Sequence, residues 1–288
     1  MHAPLPPQNP QPQTGQSQAE FVRPVVTSFG IRADAGIFNA VRPIEPPISE
    51  TGKAFVTLNR FGFDTIQFDP TWVTEGLLNL ASPGSSGLDI GAGYGRFTIA
   101  ALQRGATMIC NDLSMDQMLW TRSQVSPHLH EKLFLNTSAF PNLTLEKDSL
   151  DFISAHRVLH FLEGNTIENG LQRCYRWLKP GGTLGIVVMS ASHSLLREHF
   201  LPIYSERVEK GSRWPGEGVD TKRYLPAQAY ALPEKLHVLD PEQLEIAVRA
   251  AGFHVQRCDW VSLAKFGIQS DRRDGREASG ILATKESA

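Results

Sequence analysis

A mostly parallel α/β sheet with helices on both faces is the fold class this sequence predicts. Three observations carry the prediction. Short apolar runs alternate with amphipathic runs from Gly87 onward, as successive strand–helix–strand units require. The run Gly87-Leu-Asp-Ile-Gly-Ala-Gly-Tyr-Gly-Arg96 passes from a strand to a helix through three spaced glycines. Such a turn needs positive φ and lets a ligand lie against bare backbone. Thr183 to Met189 is an almost unbroken apolar run, the mark of a central parallel strand buried on both faces.

Taken in order, residues 1–24 are rich in Pro, Gln and Ser. They bury too little surface to offset the entropy of ordering them, and read as a disordered tail. Residues 25–84 form an N-terminal extension. Pro43, Pro46 and Pro47 keep its first part extended. Ala54, Phe55 and Leu58 fall at helical spacing and predict a helix between Ser49 and Arg60, ended by Gly62. A second helix is predicted from Pro70 or Thr71 to Leu80. The two make a helical cap, with Phe55, Phe61, Phe63, Phe68 and Trp72 assigned to packing.

The main domain spans residues 85–288, with an insertion at 190–236. Strands are predicted at 87–90, 107–112, 133–135, 151–155, 183–189, 253–261 and 281–285. A helix follows the glycine turn over 96–104 and stops at Gly105. Ser114 caps the next, which runs through Met115, Met118, Leu119 and Val125. Ile167, Leu171, Cys174 and Leu178 mark one face of a third, stopped by Lys179-Pro180-Gly181-Gly182. Asp240, Pro241 and Gln243 predict a capping box opening a last helix that closes at Gly252.

Composition narrows the function. Hydrophobic content of 41% and charged content of 20% are ordinary for a globular protein. A net charge of -2 gives no general pull toward nucleic acid or anionic membrane. No apolar run is long enough to span a bilayer, and the N-terminus has no secretory pattern. Cys110, Cys174 and Cys258 are odd in number, lie in apolar contexts and form no C-x-x-C. A reducing, cytoplasmic setting is expected, with no metal site, since Cys and His show no ligand spacing.

The glycine spacing then selects among nucleotides. A dinucleotide fingerprint would place its third glycine where Arg96 stands. The sequence reads D-x-G-x-G-x-G instead, beginning at Asp89. Asp112 ends the next apolar run, where a carboxylate can accept from both hydroxyls of a ribose. With these features the chain resembles the class I S-adenosylmethionine-dependent methyltransferases, a Rossmann-like superfamily, over about residues 85–190 and 237–286. The resemblance implies a seven-stranded sheet whose last strand is antiparallel, with S-adenosyl-L-methionine as cofactor. It also implies that the N-terminal helices help cover the cofactor.

By that resemblance the glycine turn, Gly91, Ala92, Gly93 and Gly95, admits the methionine part of the cofactor against its backbone. Asp89 faces the ammonium group, Asp112 holds the ribose and Leu113 packs on the adenine. An acid often follows the third strand in the family; here Asn136-Thr137-Ser138-Ala139-Phe140 offers only Ser138 as acceptor and Phe140 as a stacking ring. After the fourth strand, His156 and Arg157 are the candidate catalytic residues. The segment is not of the N-P-P-Y type, which counts against methylation of adenine in nucleic acid. The insertion, rich in aromatic and balanced charged residues, reads as a lid over a small-molecule acceptor methylated on O, N or C, in a monomer or homodimer. Three readings stand beside this one: a nicotinamide-dependent reductase, a protein or peptide methyltransferase, and a catalytically silent cofactor-binding adaptor.

Overall fold

The computed structural model describes residues 26–68, 70–263 and 274–286. The tail predicted at 1–24 lies outside them. The N-terminal extension opens with a short hairpin, β1 (Val26–Thr27) and β2 (Gly30–Arg32), followed by a second hairpin, β3 (Ala54–Val56) and β4 (Phe63–Thr65). This second hairpin replaces the helix predicted between Ser49 and Arg60. The spacing of Ala54, Phe55 and Leu58 suited a helix. Instead Phe55 pairs with Asp64 across the ladder, and Phe63-Asp64-Thr65 supplies the partner strand. The helical cap is therefore one helix, α1 (Trp72–Leu78), and a hairpin. Thr71 caps α1 through a reciprocal box with Thr74.

The predicted alternation then follows. β5 (Ser86–Ile90), α2 (Arg96–Gln103), β6 (Thr107–Asn111), α3 (Met115–Gln124), β7 (Leu133–Asn136) and β8 (Leu150–His156) come in turn. α4 (Gly164–Trp177) and β9 (Leu178–Met189) close this half. Ser114 caps α3 by accepting from Gln117 N at 3.3 Å. The insertion holds α5 (Leu201–Glu209), β10 (Glu217–Asp220), α6 (Thr221–Tyr224) and β11 (Lys235–His237). α7 (Pro241–Ala250), β12 (His254–Val261) and β13 (Ala278–Thr284) complete the chain. Asp240 precedes α7 as predicted but makes no side-chain cap; its Oδ1 accepts from Ala191 N at 2.9 Å, tying the start of the insertion to the helix.

One sheet of nine strands runs β1-β2-β7-β6-β5-β8-β9-β13-β12. β5 to β9 are mutually parallel, and β13 is antiparallel to both β9 and β12. The seven strands from β7 to β12 are those predicted; β2 adds its edge to β7 and brings β1 with it. Two apolar layers cover the sheet. One joins Trp177, Leu171 and Leu244 to Ile153 and Ile186. The other joins Leu77, Leu102 and Met118 to Met108 and Phe152. A third cluster lies within the insertion, around Phe200, Tyr204, Val219 and Leu236. Cys110 and Cys174 are buried, Cys258 is partly so, and all three are free. Among the described residues no helix is long and apolar enough to cross a membrane.

The chain leaves β5 toward β6 and β7, then returns to lay β8 and β9 on the other side of β5. The crevice between β5 and β8, beyond the carboxyl ends of the strands, is where such a sheet takes a ligand.

Candidate active site

A cavity of about 270 Å³ opens at that point. Its sheet side is the turn after β5 (Ile90 to Gly93), the tip of β6 (Asn111 to Leu113) and the segment after β7 (Ser138 to Phe140). His156, Arg157 and Val158 come from the end of β8. The opposite side is the second hairpin, with Asn59, Phe61, Phe63, Asp64 and Phe68. Of the aromatics assigned to packing, Phe61, Phe63 and Phe68 thus line the cavity, whereas Phe55 packs edge-on against Tyr94.

Gly91 and Gly93 have φ of 62° and 57°. A Cβ at 91 would lie 2.6 Å from Val158, and one at 93 only 2.8 Å from Asp64 Oδ2. Bare backbone is what keeps this side of the cavity open. Gly95 does something different. It caps α2 at φ 70°, and a Cβ there would strike Thr121, so it lets α2 pack against α3 and does not line the cavity.

Asp112 is 5% exposed and accepts from Gly93 N, Ser114 N and Asn59 Nδ2, each at 2.9 Å. A carboxylate has about four acceptor positions, so a hydroxyl at the cavity still finds one, and a second once Asn59 turns aside. Burial raises the Asp112 carboxyl to about 6, against the pull of these bonds. Asp89 lines the floor and spends Oδ2 on Thr98 Oγ1 at 2.8 Å; burial lifts it to about 7. Leu113 stands 50% exposed at the edge of the cavity. Ser138 is exposed on the rim, and its backbone is held by Asn111 Nδ2, which also bonds Asn136 O.

Sequence reasoning missed the hairpin residues. Asp64 Oδ2 accepts from Tyr94 N at 2.9 Å, which puts a carboxylate against the glycine turn. Burial raises its pKa, while Arg157 and Arg96 pull it down. Arg157 adopts φ 62° and donates Nη2 to Phe63 O at 3.3 Å. Asn59 and Asp64 have no local signal in the sequence; only the fold carries them to the turn. Asn111 had one, a lone amide closing the apolar run Met108-Ile109-Cys110.

His156 ends β8, and its Nε2 is buried without a partner. Burial first, then the Arg157 charge, lowers its pKa to about 3, so the imidazole is neutral across the physiological range. His160 is 7% exposed, packs tilted against Phe161 with ring centroids 4.0 Å apart and is likewise lowered to about 3; its Nδ1 has no partner. Among the described residues no group of His, Cys, Asp and Glu is arranged to hold a metal ion.

Three of the insertion's aromatics go into its own core: Phe200 and Tyr204 are buried and Tyr224 packs on Phe200, whereas Trp214 packs on His237 and against the main core. Tyr230 reaches out to Phe63 at 5.8 Å. Beside it, Gly62 N donates to Ala231 O at 2.8 Å, fastening the tip of the second hairpin to the insertion.

Residues 88–186 match the family model of the methyltransferase domain. Phosphoethanolamine N-methyltransferase 1 of Triticum aestivum is 27% identical over 105 residues, 36% of this chain and 21% of that protein. The chain thus spans about a fifth of the length of the curated relatives it matches. A SAM-dependent methyltransferase from Methanosarcina mazei superposes with a TM-score of 0.57 at 17% identity, covering 77% of this chain and 100% of that one. The 1,6-didemethyltoxoflavin-N1-methyltransferase of Burkholderia thailandensis, solved with 1,6-didemethyltoxoflavin and S-adenosylhomocysteine, gives a TM-score of 0.51 at 18% identity over 74% of this chain and 77% of its own. At such identities the superpositions speak for the fold. The family model meets them on residues 88–186, the stretch that holds the glycine turn and Asp112, and over that stretch the chain is similar to the methyltransferase domain.

Proposed function

We propose that the protein transfers a methyl group from S-adenosyl-L-methionine to a small organic acceptor. The observation that carries this is the pairing of a bare glycine turn with a buried ribose-ready carboxylate, Asp112, in one cavity. Gly91, Ala92 and Gly93 offer backbone to the aminoacyl end, and Asp89 and Asp64 place negative charge near its ammonium group. Gly95 acts indirectly, by setting the turn. Asp112 accepts from the ribose hydroxyls, Leu113 covers the adenine, and Ser138 and Phe140 border its edge.

The cofactor supplies a methyl already activated on a sulfonium sulfur, so the chain's own task is positioning and exclusion of water. His156, neutral and with an unpartnered Nε2, orients the acceptor by a hydrogen bond. Arg157 lines the cavity near enough to Asp64 for the two charges to attract, and brings positive charge beside His156. The insertion, fastened to the hairpin tip through Gly62 N and Ala231 O, serves as a lid on the acceptor side.

The test is calorimetric titration with S-adenosylmethionine, S-adenosylhomocysteine and NADH. The two sulfur nucleotides should bind and NADH should not. Binding of NADH, or of none of the three, overturns the proposal.

A further inference from the structure

A second cavity, of about 90 Å³, adjoins the first through Phe61, Phe63, Arg157 and Phe161, which line both. The insertion supplies most of its far side, through Leu195, Leu225, Gln228, Leu232 and Leu236. Met189 and Ala278 add the ends of β9 and β13. The charges of the two cavities differ in kind. The first holds three carboxylates, Asp64, Asp89 and Asp112, as a ligand carrying an ammonium and a sulfonium would want. The second has none among its lining residues; its polar groups are Arg157, His160, His193 and Gln228. A cationic amine in such a chamber would lose its hydration and meet a guanidinium in place of a counter-charge. An anion is suited to it.

We infer that this chamber is the acceptor site and that its ligand is a hydrophobic carboxylate, apolar body among the leucines and carboxylate toward Arg157. The inference rests on the proposed methyl transfer and narrows its acceptor. Among the described residues that line the second cavity no strong base is on offer: His160 is neutral and hard to protonate, and His193 spends its Nδ1 lone pair on Leu195 N, while Asp64, Asp89 and Asp112 line the cofactor cavity instead. The acceptor must therefore arrive already able to attack. A carboxylate is ionised near neutral pH. Its oxygen pair forms the new O–C bond as the S–C bond to the methyl breaks. The sulfur leaves as a neutral thioether, a methyl ester results, and no proton has to be removed. Combining an anion with a sulfonium cancels two charges, which an enclosed, poorly hydrated chamber favours.

The closing experiment titrates the full chain with octanoate and phenylacetate, with octylamine and phenethylamine as cationic counterparts and octanamide as the neutral one. Each is measured with and without saturating S-adenosylhomocysteine. The carboxylates should bind at least about tenfold tighter than the amines and the amide. Leu232→Trp or Gln228→Trp, which fill the second cavity, should abolish carboxylate binding and leave S-adenosylhomocysteine affinity within about threefold. Arg157→Gln should erase the preference for carboxylates. Amines bound as well as carboxylates, or carboxylates bound normally by both filled variants, overturn the inference. Failure of S-adenosylhomocysteine to bind the wild-type chain would sink the proposed function instead. The titrations without it would still read the chamber.

Discussion

The two sides of the main cavity are built on opposite plans. The sheet side is backbone: a turn whose glycines leave no side chain, with Asp112 fixed by amides of residues close to it in space. The hairpin side is side chain: Phe61, Phe63, Asp64 and Asn59 reach across from a segment that shares no strand with the main sheet. The first side recognises whatever must be the same in every turnover. The second side, joined to the insertion, borders the chamber where the variable partner would go. Backbone recognition resists change because few substitutions alter it. Side-chain recognition alters with each one.

The contrast makes the sheet side the place for the largest effects. Gly93→Val should weaken S-adenosylhomocysteine binding by at least about a hundredfold, since a branched residue is strained at this φ by about 1–3 kcal/mol and also drives Asp64 off Tyr94 N. Normal binding in calorimetry would mean that the turn is not the cofactor's seat. The next effect is in pH. Asp112 has its pKa raised to about 6 in the free protein, so it gains its charge, and full acceptor strength, only as pH rises through that value. Affinity for S-adenosylhomocysteine should therefore be lost as pH falls, by about tenfold from pH 8 to pH 5. Asp112→Asn should bind weakly at both ends and keep only the shallower dependence that Asp89, raised to about 7, contributes; a wild-type profile no steeper than that of Asp112→Asn would remove Asp112 from the ribose. The smallest effect is expected across the divide. Asn59→Ala deletes the bond from the hairpin to Asp112 but leaves those from Gly93 and Ser114, so cofactor affinity should change by less than about threefold. A much larger loss would show that the two sides act as one.

Legibility in the sequence follows the same division. The parallel strands, their helices and the glycine turn were readable because their signals are local: apolar runs, spaced glycines, Ser114 as a cap. Asp112 was readable because a strand tip follows from its strand. The second hairpin was misread because Ala54, Phe55 and Leu58 fall at helical spacing, while the strand that forms is only Ala54–Val56 and is fixed by its partner Phe63–Thr65, which no local signal announces. Asp240 shows a similar limit. Its sequence context fits a cap, but Ala191 N, far away in the chain, takes its carboxylate. Asp64 was invisible because its meaning lies wholly in being carried to Tyr94.

The bond from Gly62 N to Ala231 O has a bearing on how the molecule is made. The hairpin tip leaves a ribosome before every parallel strand of the sheet, yet its fastener is translated only after all of them. Until then Phe63 lacks its partner ring Tyr230, whereas Phe61 can already join Phe161. The sheet side of the cofactor cavity is therefore fully translated while the acceptor side is still unfastened, and β13, which flanks β9, comes later still.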